Sequence, residues 1–285
     1  MLRLVAASIV AGVAASWVGG LPAVRPHVEF SKHRLARYLD LAGLALESST
    51  EGRRSHLASI ERVAEFPDGT PIRTLARSVG MLWIKITDAT GTSINYQCTA
   101  TVIAPAILIT NHHCLETKAA ADTIRLEFWA DHLASTAVSF AVEPTPLEQD
   151  AQLDYALLRF TAAPGTSFPA PLPRLMFRAA SPGERLMILH HSATQPLQVT
   201  RTRCRADTTT ATSERDVRHT CATRPGSSGA LVLTEEDHAV VGLHRARRIR
   251  DDSVPGVATS VKALLAKSSM LRSLATGGSN STTTR

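Results

Sequence analysis

Three short segments of the chain carry side chains that could perform acid–base and nucleophilic chemistry together. The first has two adjacent histidines, His112 and His113, between a strand-like run and Cys114. The second has Asp154 just before an apolar run, and the third has Ser228 among Pro, Gly and Ser. A serine hydroxyl is a weak nucleophile at neutral pH and needs a base, and a histidine held by a carboxylate can serve as one. The three segments together therefore indicate nucleophilic hydrolysis, although each alone would suggest only a turn or a loop.

The elements that position these residues are mostly short β-strands. Many short strands separated by Gly, Pro, Asp and Thr are typical of an antiparallel sandwich or barrel. Apolar residues at helical spacing predict one helix over 31–48 and another near the C-terminus, over 258–274. The predicted strands are 79–86, 94–103, 107–110, 123–129, 138–142, 155–160, 185–190, 197–203, 229–234 and 239–244.

Composition excludes several classes of protein. A chain of 285 residues with 44% apolar and 20% charged residues is neither a disordered chain nor a polytopic membrane protein, and its length fits one or two domains. The formal net charge of +6 is mild, and aromatic residues make up only 5%. The basic run 244–250 is short and is followed at once by Asp251 and Asp252, so it predicts a solvated hairpin. We therefore expect no nucleic-acid partner.

The N-terminus predicts export. No charged residue occurs from Leu4 to Val24, and the apolar run ends in Gly, Gly and Pro, which is typical of a secretory signal over 1–23. The segments 13–15 and 21–23 both offer cleavage contexts. An uncut membrane anchor is the alternative, because the uncharged stretch just reaches spanning length. Either way the remainder is expected to be secreted or periplasmic, where cysteines usually pair.

Taken in order, the three motifs resemble those of chymotrypsin-fold serine peptidases, in particular the bacterial glutamyl endopeptidase-like group. Residues 110–114 (Thr-Asn-His-His-Cys) match the histidine motif of that family, the Asp lies before Ala-Leu-Leu, and residues 225–229 (Pro-Gly-Ser-Ser-Gly) match its nucleophile motif. The resemblance implies that His113 is the base, that Asp154 orients it and that Ser228 is the nucleophile. It also implies an oxyanion hole made by the backbone N–H groups of Gly226 and Ser228.

The resemblance implies an all-β fold of two packed six-stranded antiparallel β-barrels, with a C-terminal helix and a helical pro-segment. The implied parts are a signal peptide or anchor (1–23), a pro-segment (24–62), the peptidase (63–274) and a disordered tail (275–285). The protein is expected to act as a monomer on protein or peptide substrates, with no cofactor and no metal. The disulfide bonds implied by the resemblance are Cys98–Cys114 and Cys204–Cys221.

The specificity expected from the resemblance is for acidic residues. Six positions before the nucleophile, where trypsin-like members carry an Asp, this chain has Ala222. The glutamyl group has a Thr one position later and a His on a strand of the pocket, matched by Thr223 and His244. A hydroxyl and an imidazole can hydrogen-bond a carboxylate. The family often has Gly after the His, whereas Arg245 and Ala246 stand here, so a small apolar pocket is the alternative.

The resemblance also implies a zymogen. Mature chains of the family commonly begin about fifty residues before the catalytic His, which points to cleavage between Arg62 and Val63. A new α-amino group at Val63 would then complete the pocket. Arg73, Arg77 and Lys85 are alternative cut points for a tryptic-type activator.

Other interpretations of these residues are weaker. Cys98, Cys114, His112 and His113 could bind zinc, but their spacing is not of the Cys-x-x-Cys type and one disulfide would satisfy both cysteines. The histidine pair 190–191 is interpreted as structural. A non-catalytic binding module on the same fold and a membrane-tethered protease remain the alternative functions. The intact His, Asp and Ser disfavour the binding module.

Overall fold

The computed structural model describes residues 59–87, 90–115, 123–128, 138–162, 168, 172–192, 195–208, 214–246 and 255–276, all within one compact unit, Ser49–Arg285. The predicted signal segment, the helix over 31–48 and nearly all of the tail lie outside these ranges. The strands are β1 Ile60–Arg62, β2 Val79–Thr87, β3 Ser93–Ala104, β4 Ile107–Thr110, β5 Thr123–Phe128, β6 Val138–Val142, β7 Glu148–Asp150, β8 Tyr155–Thr161, β9 Leu186–His190, β10 Gln198–Thr200, β11 Asp216–His219, β12 Leu231–Thr234, β13 Val240–Ala246 and β14 Gly256–Ser260. The helices are α1 Pro71–Ala76, α2 Val261–Lys267 and α3 Ser269–Ala275, and 3-10 turns cover Val63–Glu65 and His112–Cys114.

The first sheet closes into a barrel. Its strand order is β4-β3-β2-β5-β6-β8-β7, and an additional β4–β8 pairing joins six of these strands into a ring. Alternation along the strands sends apolar side chains inward, as in β5, where Ile124 and Leu126 are buried while Thr123 and Arg125 are exposed. The Phe140 ring meets other phenylalanine rings edge to face inside this barrel, which adds about 1 kcal/mol per pair beyond area burial.

The second sheet has the strand order β1-β10-β9-β12-β13-β14-β11. Two isolated bridges connect the segment around 204–207 to this sheet. Arg205 pairs with Arg185, just before β9, and Ala206 pairs with His219 on β11, so the segment lies between these two strands. The Cys204–Cys221 disulfide covalently joins the same region. The all-β, chymotrypsin-like architecture predicted from the sequence is confirmed.

The C-terminal region differs from the single predicted helix over 258–274. Residues up to Ser260 form β14, which pairs with both β13 and β11, and two short helices follow. The Ser260 side chain accepts from the N–H of Ala263 at 3.1 Å and so caps α2. Ser268 is extended and caps α3 in the same way through the N–H of Leu271, also at 3.1 Å. Two serines with competing local hydrogen bonds thus divide the apolar run.

The chain enters the second sheet before residue 63. Ile60 to Arg62 pair with β10, and the N–H of Val63 then donates to the carbonyl of Leu197 at 3.0 Å. The Val63 side chain is buried, whereas Arg62 is exposed beside Glu65. Of the helices in the described part of the chain, none has the length and apolar character needed to span a bilayer.

Candidate active site

The imidazole of His113 is held by the carboxylate of Asp154. The ring nitrogen Nδ1 lies 2.7 Å from Asp154 Oδ2, and the backbone N–H of His113 donates to Oδ1 at 2.8 Å. A carboxylate only accepts, so the hydrogen bond requires the ring proton on Nδ1. The other nitrogen, Nε2, is then unprotonated in the neutral ring and can act as a base. Both side chains are about four-fifths buried, with exposures of 22% and 17%.

Asp154 belongs to a turn whose backbone is held in place by neighbouring polar side chains. Its φ of 53° is unusual for a residue other than glycine. Asp150 Oδ1 accepts from the N–H groups of Gln152 and Leu153, each at 2.8 Å, and Asn111 Nδ2 donates to the Asp154 carbonyl at 2.7 Å. These contacts fix the strained backbone that aims the carboxylate at His113. No role was predicted from the sequence for Asp150, nor for Asn111 although Asn111 stands within the histidine motif.

The histidine turn is also fixed covalently. The Cys98–Cys114 disulfide ties it to β3, and the Tyr96 hydroxyl donates to the Cys114 carbonyl at 2.7 Å. Ligand atoms of Cys98, Cys114 and His113 lie within 4.8 Å of one another, as in a small metal site. Both sulfurs are consumed by the disulfide, however, and thiolate is the form of cysteine that binds zinc.

The loop that carries Ser228 packs against the first barrel. Its glycines Gly226 and Gly229 have φ values of 98° and 88°, which side chains with a Cβ rarely adopt. A Cβ on Gly229 would also collide with Thr99 and Thr110. The N–H of Thr99 donates to the Ser228 carbonyl at 2.8 Å, and the Thr99 hydroxyl donates to the Gly226 carbonyl at 2.9 Å. Thr99 directly follows Cys98, which is disulfide-bonded to the histidine turn, so the serine loop and the histidine turn are held by the same part of β3.

Two backbone donors in this loop point to no protein acceptor. The N–H groups of Ser227, Gly229 and Ala230 all donate to carbonyl oxygens. Within the described chain, the N–H groups of Gly226 and Ser228 donate to none. These are the two groups expected from the sequence to form an oxyanion hole.

A buried neutral histidine, His190, contacts the loop that carries Ser228. His190 Nδ1 lies 2.6 Å from Ser227 Oγ, and Nε2 lies 3.2 Å from Thr200 Oγ1. The Thr200 hydroxyl donates its proton to the Ala222 carbonyl, so it accepts from Nε2–H, and the Ser227 hydroxyl donates to Nδ1. Ser227 Oγ in turn accepts the N–H of Arg224 at 3.1 Å. The uncharged imidazole satisfies all four contacts, and burial favours this form because it lowers the pKa of His190 to about 3. The sequence interpretation of the 190–191 pair as structural did not include this role.

The two buried histidines predict a pH-dependent stability. Burial lowers the pKa of His190 to about 3 and that of His191 to about 4, whereas an unfolded histidine titrates near 6.5. The unfolded chain therefore binds more protons below about pH 6.5. We expect the free energy of unfolding to be fully present above that pH and to fall by up to about 3 kcal/mol per pH unit down to about pH 4.

Urea unfolding at a series of pH values measures this slope. Replacing both His190 and His191 by asparagine should flatten it. The matched control is His238→Asn, at a partly exposed position whose φ of 58° asparagine tolerates, and it should leave the slope unchanged. An equal slope in wild type and double variant would contradict the assignment.

The proposed specificity residues lie on the second-barrel side of the serine loop. The Gly229 N–H donates to the His244 carbonyl at 2.9 Å, which places β13 directly against the loop. His244 is 3% exposed, and its Nδ1 lies 3.0 Å from Nε2 of the buried His219. The Thr223 hydroxyl oxygen is buried and has no hydrogen-bond partner in the described ranges. Arg245 pairs with Asp216 at 2.7 Å, so its charge is compensated.

Comparison with known proteins identifies the family. Among solved structures, the active form of the Rv3671c protease from M. tuberculosis is 17% identical, with a TM-score of 0.47 over 68% of this chain and 81% of that one. The inactive form of a serine-to-alanine mutant of Rv3671c from M. tuberculosis H37Rv is 15% identical, with a TM-score of 0.49 over 73% and 96%. No curated protein sequence matches the chain. The family model of the trypsin-like peptidase domain matches residues 98–243, just over half of the chain. The chain therefore belongs to the trypsin-like peptidase family.

Proposed function

We propose that this protein is a serine endopeptidase that cleaves peptide bonds through Ser228, His113 and Asp154. The observation that carries the proposal is the pair of hydrogen bonds that the Asp154 carboxylate accepts from the ring and the backbone N–H of His113. It sets the tautomer, because the ring proton must lie on Nδ1, and it orients Nε2. A carboxylate in that position also stabilises the imidazolium that forms when the histidine accepts a proton.

The proposed reaction has two halves. His113 Nε2 takes the proton of the Ser228 hydroxyl as the oxygen attacks the scissile carbonyl, and it then gives that proton to the leaving amine. The resulting acyl-enzyme is hydrolysed when a water molecule, deprotonated by the same histidine, attacks the ester carbonyl and restores the serine. The N–H groups of Gly226 and Ser228 have no acceptor within the described ranges and are the proposed donors for the oxyanion, each worth about 3 kcal/mol in the transition state.

We further propose that the acyl-side pocket prefers glutamate or aspartate. The buried Thr223 hydroxyl oxygen has no hydrogen-bond partner among the described residues, and a buried polar group in that state favours a ligand that can hydrogen-bond to it. His219 and His244 share a hydrogen bond. With His219 as the donor, neutral His244 carries its proton on Nε2, where it can donate to a carboxylate.

Export and processing belong to the same proposal. Residues 1–23 would direct export, and cleavage between exposed Arg62 and buried Val63 would give the mature chain. The carbonyl of Leu197, 3.0 Å from the Val63 nitrogen, would accept from an α-amino group formed there. Amino-terminal sequencing of the exported precursor reads the first cut site and sequencing of the active protein reads the second, and an active protein that begins at a residue other than Val63 would contradict the second.

Covalent labelling tests the assignment of the nucleophile. A fluorophosphonate probe should label the wild-type protein and not Ser228→Ala, because only an activated serine attacks phosphorus at a useful rate. Ser273→Ala, which removes an exposed hydroxyl on α3, is the matched control and should label fully. Unlabelled wild-type protein would instead favour a binding module on the same fold, and labelling of Ser228→Ala would assign the nucleophile elsewhere.

A further inference from the structure

The outer face of the first barrel carries a groove lined by polar, basic and aromatic side chains. Trp83 on β2 lies opposite Gln97 on β3 and Arg125 on β5, and directly opposed residues share one face of a sheet. Lys85 is two residues further along the same face. The open groove has a volume of about 310 Å³ and is lined by Trp83, Lys85, Asn95, Thr123 and Arg125.

The sheet face that carries this groove extends to the serine loop. Thr99, Gln97 and Asn95 alternate along the outer face of β3. Thr99 is fully buried under the loop, Gln97 is half-buried and Asn95 is exposed, so the face emerges from the contact between the barrels within four residues. The amide of Gln97 marks the boundary, because its Nε2 would lie only 2.6 Å from a Cβ on Gly226.

The proposed acyl-side pocket decides on which side of the cleaved bond this groove would lie. The serine loop is bonded to β13 on one flank, through Gly229 and His244, and to β3 on the other, through Ser228 and Thr99. If the β13 flank holds the residue that becomes the acyl group, as proposed above, the peptide that departs as an amine runs along the β3 flank.

The distances fit a short extended peptide. Neighbouring strands lie about 4.8 Å apart, so Trp83 is about 5 Å and Arg125 about 10 Å from Gln97 across the sheet. An extended chain advances about 3.3 Å per residue. The second to fourth residues after the cleaved bond therefore reach the groove.

The chemistry of the lining selects the occupant. Lys85 is exposed and has no ion pair within the described ranges, and the Arg125 side chain is 56% exposed. Among the described residues, the acidic partner of Arg125 is Glu127, whose side chain is largely buried and whose carboxylate lies 3.6 Å from the guanidinium. Trp83 offers an aromatic surface for the stem of a long side chain. We propose that this groove binds an acidic residue at the second to fourth position after the cleaved bond. The inference rests on the proposed peptidase function.

Quenched peptide substrates that differ only in the third residue after the cleaved bond test this. The wild-type protein should cleave the Glu peptide about threefold to tenfold faster than the Ala peptide, in kcat/KM, and the Lys peptide more slowly still, as expected for two partly exposed charges. The preference should shrink at high salt, because the groove is open to solvent. The double variant Lys85→Glu and Arg125→Glu should reverse the order. Arg159→Glu, on β8 across the barrel, is the matched control and should keep it.

A second readout separates this inference from the proposed function. Fluorophosphonate labelling has no peptide on the leaving side, so its rate should be the same in the double variant as in wild type. If wild type neither labels nor cleaves, the proposed function fails. If it does both, and the double variant labels normally while keeping the Glu-to-Lys ratio within twofold of wild type, the groove assignment is overturned. A double variant that labels slowly and also keeps that ratio overturns it as well, because the ratio compares two peptides on one enzyme.

Discussion

Replacing His113 by alanine is expected to lower kcat/KM for peptide cleavage by about four to six powers of ten. The reason is geometric, since the Asp154 carboxylate orients this ring through a 2.7 Å hydrogen bond to Nδ1 and so leaves Nε2 as the base. The adjacent His112 is the matched control. Its Nδ1 lies 3.0 Å from the Gln149 side chain, so His112→Ala should keep activity within about threefold. Steady-state kinetics on one quenched peptide measures both variants.

A third variant checks that orientation, and not mere presence of the ring, is what matters. Asp154→Asn keeps an oxygen for the backbone N–H of His113 but offers an NH2 group to the ring, which favours the wrong tautomer. Activity should fall by about four powers of ten, while the free energy of unfolding should stay near that of the wild type. Loss of activity in His112→Ala equal to that in His113→Ala would reject the assignment of the base.

The strands that could be predicted from the sequence are those with strong local alternation. The two longest strands, β2 and β3, belong to the first barrel, and the predictions for β2 to β6 end within one residue of the observed bounds. The strands missed, β1, β7, β11 and β14, have three to five residues. The equally short β4 (Ile-Leu-Ile-Thr) was predicted because its residues are apolar or β-branched, whereas β1, β7 and β11 consist mostly of polar residues. Residues 256–260 are strand because β13 and β11 pair with both of their edges, a tertiary effect that overrides the helical spacing continuing into α2.

Within the site, motifs point to the side chains that do chemistry but not to those that hold them. His113 and Ser228 stand in recognisable local patterns. Thr99, by contrast, contacts His191, which lies 92 residues away along the chain, and no local pattern encodes that separation. The same holds for His190 and Ser227, 37 residues apart. Such supports appear only in the folded structure, because their partners lie far apart in the sequence.

Substrates with glutamate before the cleaved bond should be preferred over those with leucine by about tenfold to a hundredfold in kcat/KM. That range corresponds to one or two charge-assisted hydrogen bonds in a buried pocket. Thr223→Val removes the hydroxyl at nearly constant volume and His244→Ala removes the imidazole, so each should reduce the preference mainly by slowing the glutamate peptide. Arg245→Ala is the control, because Asp216 at 2.7 Å compensates that charge, and it should leave the preference nearly intact.

The rival is a small apolar pocket in which His244 is only a buried strand residue. Under that rival, leucine would equal or exceed glutamate in wild type, and Thr223→Val would improve cleavage after leucine without changing the rate after glutamate.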